Sequence, residues 1–121
     1  MAMAYEKEGE HAAALREYSA ASEGIPQAFY YMGNIYFEQE KYDKAEENYE
    51  AALEETPLHP QSLNNLAWLY YVQRRNLEKA ESLSLKALEV ASDEESEAYR
   101  DTLNRIRTLK EGAPAPKDPL H

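Results

Sequence analysis

A chain that repeats itself at a fixed interval can fold in few ways, because each copy must be one supersecondary unit that buries its apolar face on its neighbour. Displacing this 121-residue sequence by 34 positions superimposes Pro26 on Pro60, Gln27 on Gln61, Phe29 on Leu63 and Met32 on Leu66. The same displacement superimposes Gly33 on Ala67, Ile35 on Leu69, Tyr36 on Tyr70 and Phe37 on Tyr71. Further on the displacement becomes 35, pairing Ala45 with Ala80 and Ala52 with Ala87. One extra residue therefore enters near Gln73-Arg74-Arg75-Asn76, where a turn can absorb it. Upstream, a displacement of 31 pairs Tyr5 with Tyr36, Ala14 with Ala45, Tyr18 with Tyr49 and Ala21 with Ala52. That third copy is incomplete, beginning partway through its first helix.

The spacing within each copy is helical. Positions 29, 32, 33 and 36 share one face of a 3.6-residue helix, and positions 45, 49 and 52 share a face of the next. Gly33, Ala45 and Ala52 leave room for two helix backbones to approach, with large residues filling the space around them. The pattern predicts helices near 2–8, 10–22, 26–39, 42–55, 60–73, 77–92 and 95–111. Pro26 and Pro60 suit first-turn positions, where no amide hydrogen is needed. Ser92-Asp93-x-Glu95 has the form of a helix cap. The last helix carries Tyr99, Leu103, Ile106 and Leu109 on one stripe, which suits a capping helix over the end of the stack. Residues 112–121 are rich in proline and are expected to be a disordered tail.

Phe29-x2-Met32-Gly33-x2-Tyr36, followed by Ala45, Tyr49, Ala52 and Pro57, resembles a complete tetratricopeptide repeat. Leu63-x2-Leu66-Ala67-x2-Tyr70, with Ala80 and Ala87, resembles a second, although Ser84 and Ser92 stand where an aromatic and a proline are usual. The resemblance spans roughly residues 1–92 and implies an all-α fold: a right-handed α–α superhelix of antiparallel helix pairs with a C-terminal capping helix. The expected organisation is one domain over 1–111, with a partial repeat at 1–25, repeats at 26–59 and 60–94, and the cap at 95–111.

Composition narrows the chemistry. With no cysteine there is no disulfide, thiolate zinc site or cysteine nucleophile. His11, His59 and His121 are scattered without ligand spacing, so no metal site is expected, and His11 and His59 read as solvated residues at a helix start or in a loop. No phosphate-binding glycine loop, nucleophile elbow or EF-hand spacing occurs, so no catalytic residue and no cofactor is expected. Glu46, Glu47, Glu50 and Glu54 have the spacing of a solvated outer helix face. The formal net charge of −10 is concentrated in residues 1–60, which hold 13 acidic and 4 basic side chains. That field disfavours nucleic acid and anionic membrane; it either solubilises the chain or steers a basic partner. No apolar run reaches membrane-spanning length and no leader pattern opens this chain, so membrane insertion is not expected and a cytoplasmic location is favoured.

In the family resembled, the first helix of each pair lines the concave side, which implies a peptide groove. Gln27, Tyr30, Tyr31, Asn34, Phe37 and Glu38 would face it from one repeat, and Gln61, Asn64, Asn65, Trp68, Tyr71 and Val72 from the next. Asparagine can donate to and accept from a peptide backbone at once, and Tyr and Trp offer apolar area with few rotors to freeze. Trp68, Phe37 and Tyr71 have a second reading as packing residues between repeats. Some relatives hold chaperone C-terminal tails in a carboxylate clamp of asparagines and basic residues. Asn34 and Asn65 match its asparagines, but Tyr30 stands where a lysine is required, and only Arg100 lies near as a base. The expected function is a non-enzymatic scaffold that holds a peptide or helical segment of another protein. The alternative is a structural module that oligomerises through its incomplete N-terminal repeat.

Overall fold

Helical periodicity without β-branched runs leaves the backbone one economical way to satisfy its hydrogen bonds, and every regular element among the described residues is an α-helix. The computed structural model describes the backbone of residues 2–21 and 27–112 and the side chains of residues 9–20 and 27–112. Six helices follow in order: α1 (Ala2–Ala21), α2 (Gln27–Glu38), α3 (Tyr42–Glu55), α4 (Pro60–Gln73), α5 (Leu77–Val90) and α6 (Asp93–Lys110). They fall into two units, Met1–Pro57 and Leu58–His121. The expected first-turn role of Pro26 and the expected tail beyond Gly112 lie outside the described residues.

In the first unit α2 packs against both α1 and α3. Gly33 is the contact point with α3: a Cβ built on it would lie 2.6 Å from Cδ1 and from Cε1 of Tyr49. Ala28, Met32 and Gly33 of α2 are buried with Ala45, Tyr49 and Ala52 of α3. Phe29 and Tyr36, expected on the packed face, are half-buried, and Ala28 takes a place the pattern had not assigned.

The expected break between helices 2–8 and 10–22 does not occur: α1 runs through Gly9. A lone glycine costs a helix only about 1 kcal/mol against alanine, and the flanking Ala, Glu and Lys residues favour the helix. A Cβ at Gly9 would meet nothing within 4 Å, so packing does not require glycine there.

The second unit is built on α4 and α5, with α6 packed on both. Leu63, Leu66, Ala67, Leu69 and Tyr70 of α4 are buried, as are Ala80, Leu83, Ser84 and Ala87 of α5. Ser84, at the position of Tyr49 in the other repeat, is fully buried and its hydroxyl has no hydrogen-bond partner. Pro60 opens α4 behind the N-cap His59, whose Nδ1 accepts from the Ser62 amide at 3.2 Å. His59 is thus a capping residue rather than a solvated one, and desolvation lowers its pKa below the usual 6.5, partly offset by the charge of Glu95.

Helix α6 begins at Asp93, two residues earlier than expected, because Ser92 and Glu95 close a reciprocal capping box. Glu95 also accepts from the Tyr99 hydroxyl at 2.8 Å. The Tyr99 hydroxyl first, and the Ser92 amide second, hold the Glu95 carboxyl below its usual pKa. Tyr99, Thr102, Leu103 and Ile106 are buried, and Arg107 and Lys110 both reach Glu81 of α5, at 2.8 and 2.9 Å.

Both helix pairs turn by the same device. Glu40 (φ 59°) and Arg74 (φ 56°) take the left-handed conformation just past α2 and α4. The next amides, of Lys41 and Arg75, reach back to the carbonyls of Tyr36 and Tyr70. Helix α3 then starts directly after Lys41, whereas Arg75 is followed by a further left-handed residue, Asn76, before α5. Asn76 is therefore the extra residue of the longer repeat.

Candidate functional site

On α2, at 100° per residue, Gln27, Tyr31, Asn34 and Glu38 form one strip. Tyr31 is 44% exposed. Gln27 and Glu38 are exposed and Asn34 is half-buried. Helix α1 borders this strip. The Tyr18 ring stacks on Tyr31 at 5.2 Å with an interplanar angle of 21°. Two turns away His11 hydrogen-bonds a Glu38 carboxylate oxygen at 2.9 Å. The His11 side chain is only 13% exposed and lies mid-helix, which corrects its reading as a solvated residue. Gln39 approaches the other ring nitrogen at 3.5 Å.

Tyr30 and Phe37 lie toward α3 rather than on the open strip. Tyr30 leans on Tyr31 at 5.3 Å and on Tyr49 at 6.4 Å, and Phe37 sits 5.5 Å from Tyr42. Asn34 Oδ1 accepts from the buried Tyr49 hydroxyl at 2.6 Å, so one side of its amide is committed to holding α2 on α3.

On α4 the matching strip holds Gln61, Asn65 and Trp68, half-buried, with Val72 exposed. Trp68 lies 5.0 Å from Tyr71, with the rings inclined by 30°. Asn64 is half-buried, and its Oδ1 is enclosed without a hydrogen-bond partner. Tyr71 is tied to α6: the Arg105 guanidinium is held charged above its ordinary range by Asp101 first and by hydrogen bonding to the Tyr71 hydroxyl second. The base of α6 beside Tyr71 is Arg105, half-buried and paired with Asp101 at 2.9 Å, while Arg100 is exposed.

Residues 24–93, more than half of the chain, match the family model of the tetratricopeptide repeat. The chain belongs to the tetratricopeptide repeat family. It is an all-α helical-repeat protein, of a family that is generally a non-catalytic scaffold for protein–protein interaction. Comparison with curated proteins gives no significant match.

For this tetratricopeptide protein, the sequence pattern placed Tyr31, Asn34, Asn65 and Trp68 on the outward strips of α2 and α4, but it missed the residues that hold them. Tyr18, His11, Tyr49 and Arg105 act from other helices, and no spacing along α2 or α4 announces them. An open cleft of about 440 Å³ lies on the other side of the α1–α2 seam, between Leu15, Arg16, Ser19 and Ala20 and the pair Met32 and Tyr36. Among the described residues there is no group of three or more His, Asp or Glu side chains that could hold a metal ion, and no helix long and apolar enough to cross a membrane.

Proposed function

We propose that this protein is a non-enzymatic scaffold that receives a peptide or helical segment of a partner protein on the outward strips of its first-of-pair helices. The organisation we propose is a partial repeat at 1–25, repeats at 26–59 and 60–94, and a cap at 95–111. The observation that carries the binding reading is the α4 strip. Trp68 is half-buried beside Tyr71 with the ring centroids 5.0 Å apart, so each ring already limits the other's rotamers and the pair has less side-chain entropy to lose on docking. Asn65, three residues before Trp68, supplies an amide next to that aromatic surface. Gln27, Tyr31 and Asn34 make the equivalent offer on α2, with Tyr30 and Phe37 supporting from behind. Lacking a lysine at Tyr30, the protein has no complete carboxylate clamp, and an acidic C-terminal tail is not the ligand we propose.

The test compares Trp68→Ala and Asn65→Ala with the outer-face change Glu50→Ala in binding to a partner isolated from the native host. We expect the tryptophan change to weaken binding by about 1–3 kcal/mol and Glu50→Ala to leave it alone. A Trp68→Ala protein that melts far below wild type, yet binds normally once folded, would make Trp68 a packing residue and remove the centre of the site.

A further inference from the structure

The α1–α2 edge of the first unit carries a second feature, distinct from the α4 strip. The antiparallel pairs Tyr18–Tyr31 and His11–Glu38 are separated by seven residues on each helix, two helical turns. They therefore form two layers about 10 Å apart along the helix axes. Ser19 faces the Met32–Tyr36 cleft. Glu10 and Glu17 lie roughly 160–180° around α1 from Ser19, which puts them on the flank that borders Tyr31 and Glu38. Both are exposed, and the Glu38 side chain is 55% exposed while hydrogen-bonded to His11. Each layer thus offers carboxylates beside it, Glu17 with the tyrosine stack and Glu10 with Glu38.

The whole unit has the same sign: residues 1–57 hold 13 acidic and 4 basic side chains. A tyrosine stack of exposed Tyr31 on half-buried Tyr18, in a strongly negative field, favours a cation over an anion, since the ring face and the carboxylates attract the same charge. Guanidinium suits it better than ammonium, because its plane stacks on tyrosine while its edge forks to a carboxylate.

We propose that this edge docks an arginine-bearing segment of a partner protein, with one guanidinium on the Tyr18–Tyr31 stack beside Glu17 and a second between Glu10 and Glu38. The 10 Å spacing is one that an extended partner segment can meet. In a polyproline-II segment, side chains three residues apart lie on one face about 9 Å apart, so arginines at every third position match the two layers. This inference rests on the reading of the protein as a protein-binding scaffold and names the chemistry of the partner.

The experiment titrates the full chain with the peptide Arg-Pro-Pro-Arg-Pro-Pro-Arg, capped at both ends, and with its analogue carrying glutamine in place of arginine, by calorimetry at low and high salt. The arginine peptide should bind and the glutamine analogue should not, with affinity falling as salt rises. Tyr31→Phe should bind like wild type, whereas Tyr31→Leu, which keeps apolar bulk but loses the ring, should weaken binding by about fivefold. Replacing Glu10, Glu17 and Glu38 by glutamine should weaken it more than the same change at Glu47, Glu50 and Glu54. Equal affinity for the two peptides, an unchanged Tyr31→Leu, or equal effects of the two glutamate triples would overturn the proposal. Trp68→Ala separates it from the reading on which it rests. That change should leave arginine-peptide binding intact even if Trp68 proves inert toward the native partner, and an equal loss there would refute the assignment to the α1–α2 edge.

Discussion

Gly33→Ala is the smallest change that tests how the first helix pair closes. The added methyl would sit 2.6 Å from two carbons of the Tyr49 ring and 3.1 Å from a third. Relief to an ordinary carbon–carbon contact of roughly 3.5 Å requires the ring to retreat by about 1 Å. Tyr49 is 1% exposed, so it has nowhere to go without moving α3, and its hydroxyl is fixed on Asn34 at 2.6 Å. Overpacking of this kind costs about 1–3 kcal/mol and a strained hydrogen bond about 1 kcal/mol more. Against this, alanine gains about 1 kcal/mol over glycine in helix propensity. The net expectation is a loss of about 1–3 kcal/mol, read as a lower urea midpoint by circular dichroism. In a Tyr49→Leu background the ring is gone and the same substitution should be neutral or stabilising by up to about 1 kcal/mol. The second repeat already shows the exchange: Ala67 supplies the methyl where Ser84, not tyrosine, stands opposite in the pattern, and both are buried. If Gly33→Ala is as stable as wild type, or costs as much without Tyr49 as with it, the reasoning from ring contact fails.

Two further outcomes follow from polar groups of the second unit, buried Ser84 and half-buried His59. Ser84→Ala removes a fully buried hydroxyl that has no partner and substitutes the best helix former, so it should raise stability by about 1 kcal/mol in urea unfolding. A loss would show that the hydroxyl is satisfied after all. His59 accepts from Ser62 through Nδ1, and its pKa is depressed in the fold, so its contribution is full above the ordinary 6.5 and is lost as pH falls through the folded value. His59→Asn keeps a capping oxygen but cannot titrate there. It should match wild type at alkaline pH and show a flatter stability profile below 6.5, and parallel profiles would refute the capping role.

How much of this was legible in the sequence depended on whether one helix or two set the outcome. The buried faces were legible because they repeat at the helix period: Ala45, Tyr49 and Ala52, Leu63, Leu66, Ala67 and Tyr70, and Tyr99, Leu103 and Ile106 are all enclosed. The final cap was legible too, since Ser92 and Glu95 interact over three residues of chain. The continuity of α1 was not, because the penalty of Gly9 is about 1 kcal/mol and flanking propensity of the same size opposes it.

The strips of α2 and α4 lie between these cases. A wheel can place Tyr31, Asn34, Asn65 and Trp68 on outward sides, but it cannot say what holds them. Helix rotation and register bring Tyr18 over Tyr31, the Tyr49 hydroxyl to Asn34, His11 to Glu38 and Arg105 to Tyr71. A shift of one residue in any of these pairings would turn a side chain by 100°. The sequence by itself therefore determined the helical repeat and which faces of α3, α4 and α6 are buried, because both follow from spacing within one helix. The tertiary structure alone decided which aromatic and amide side chains are anchored and which remain presented, because those contacts join residues on different helices, 5 to 34 positions apart.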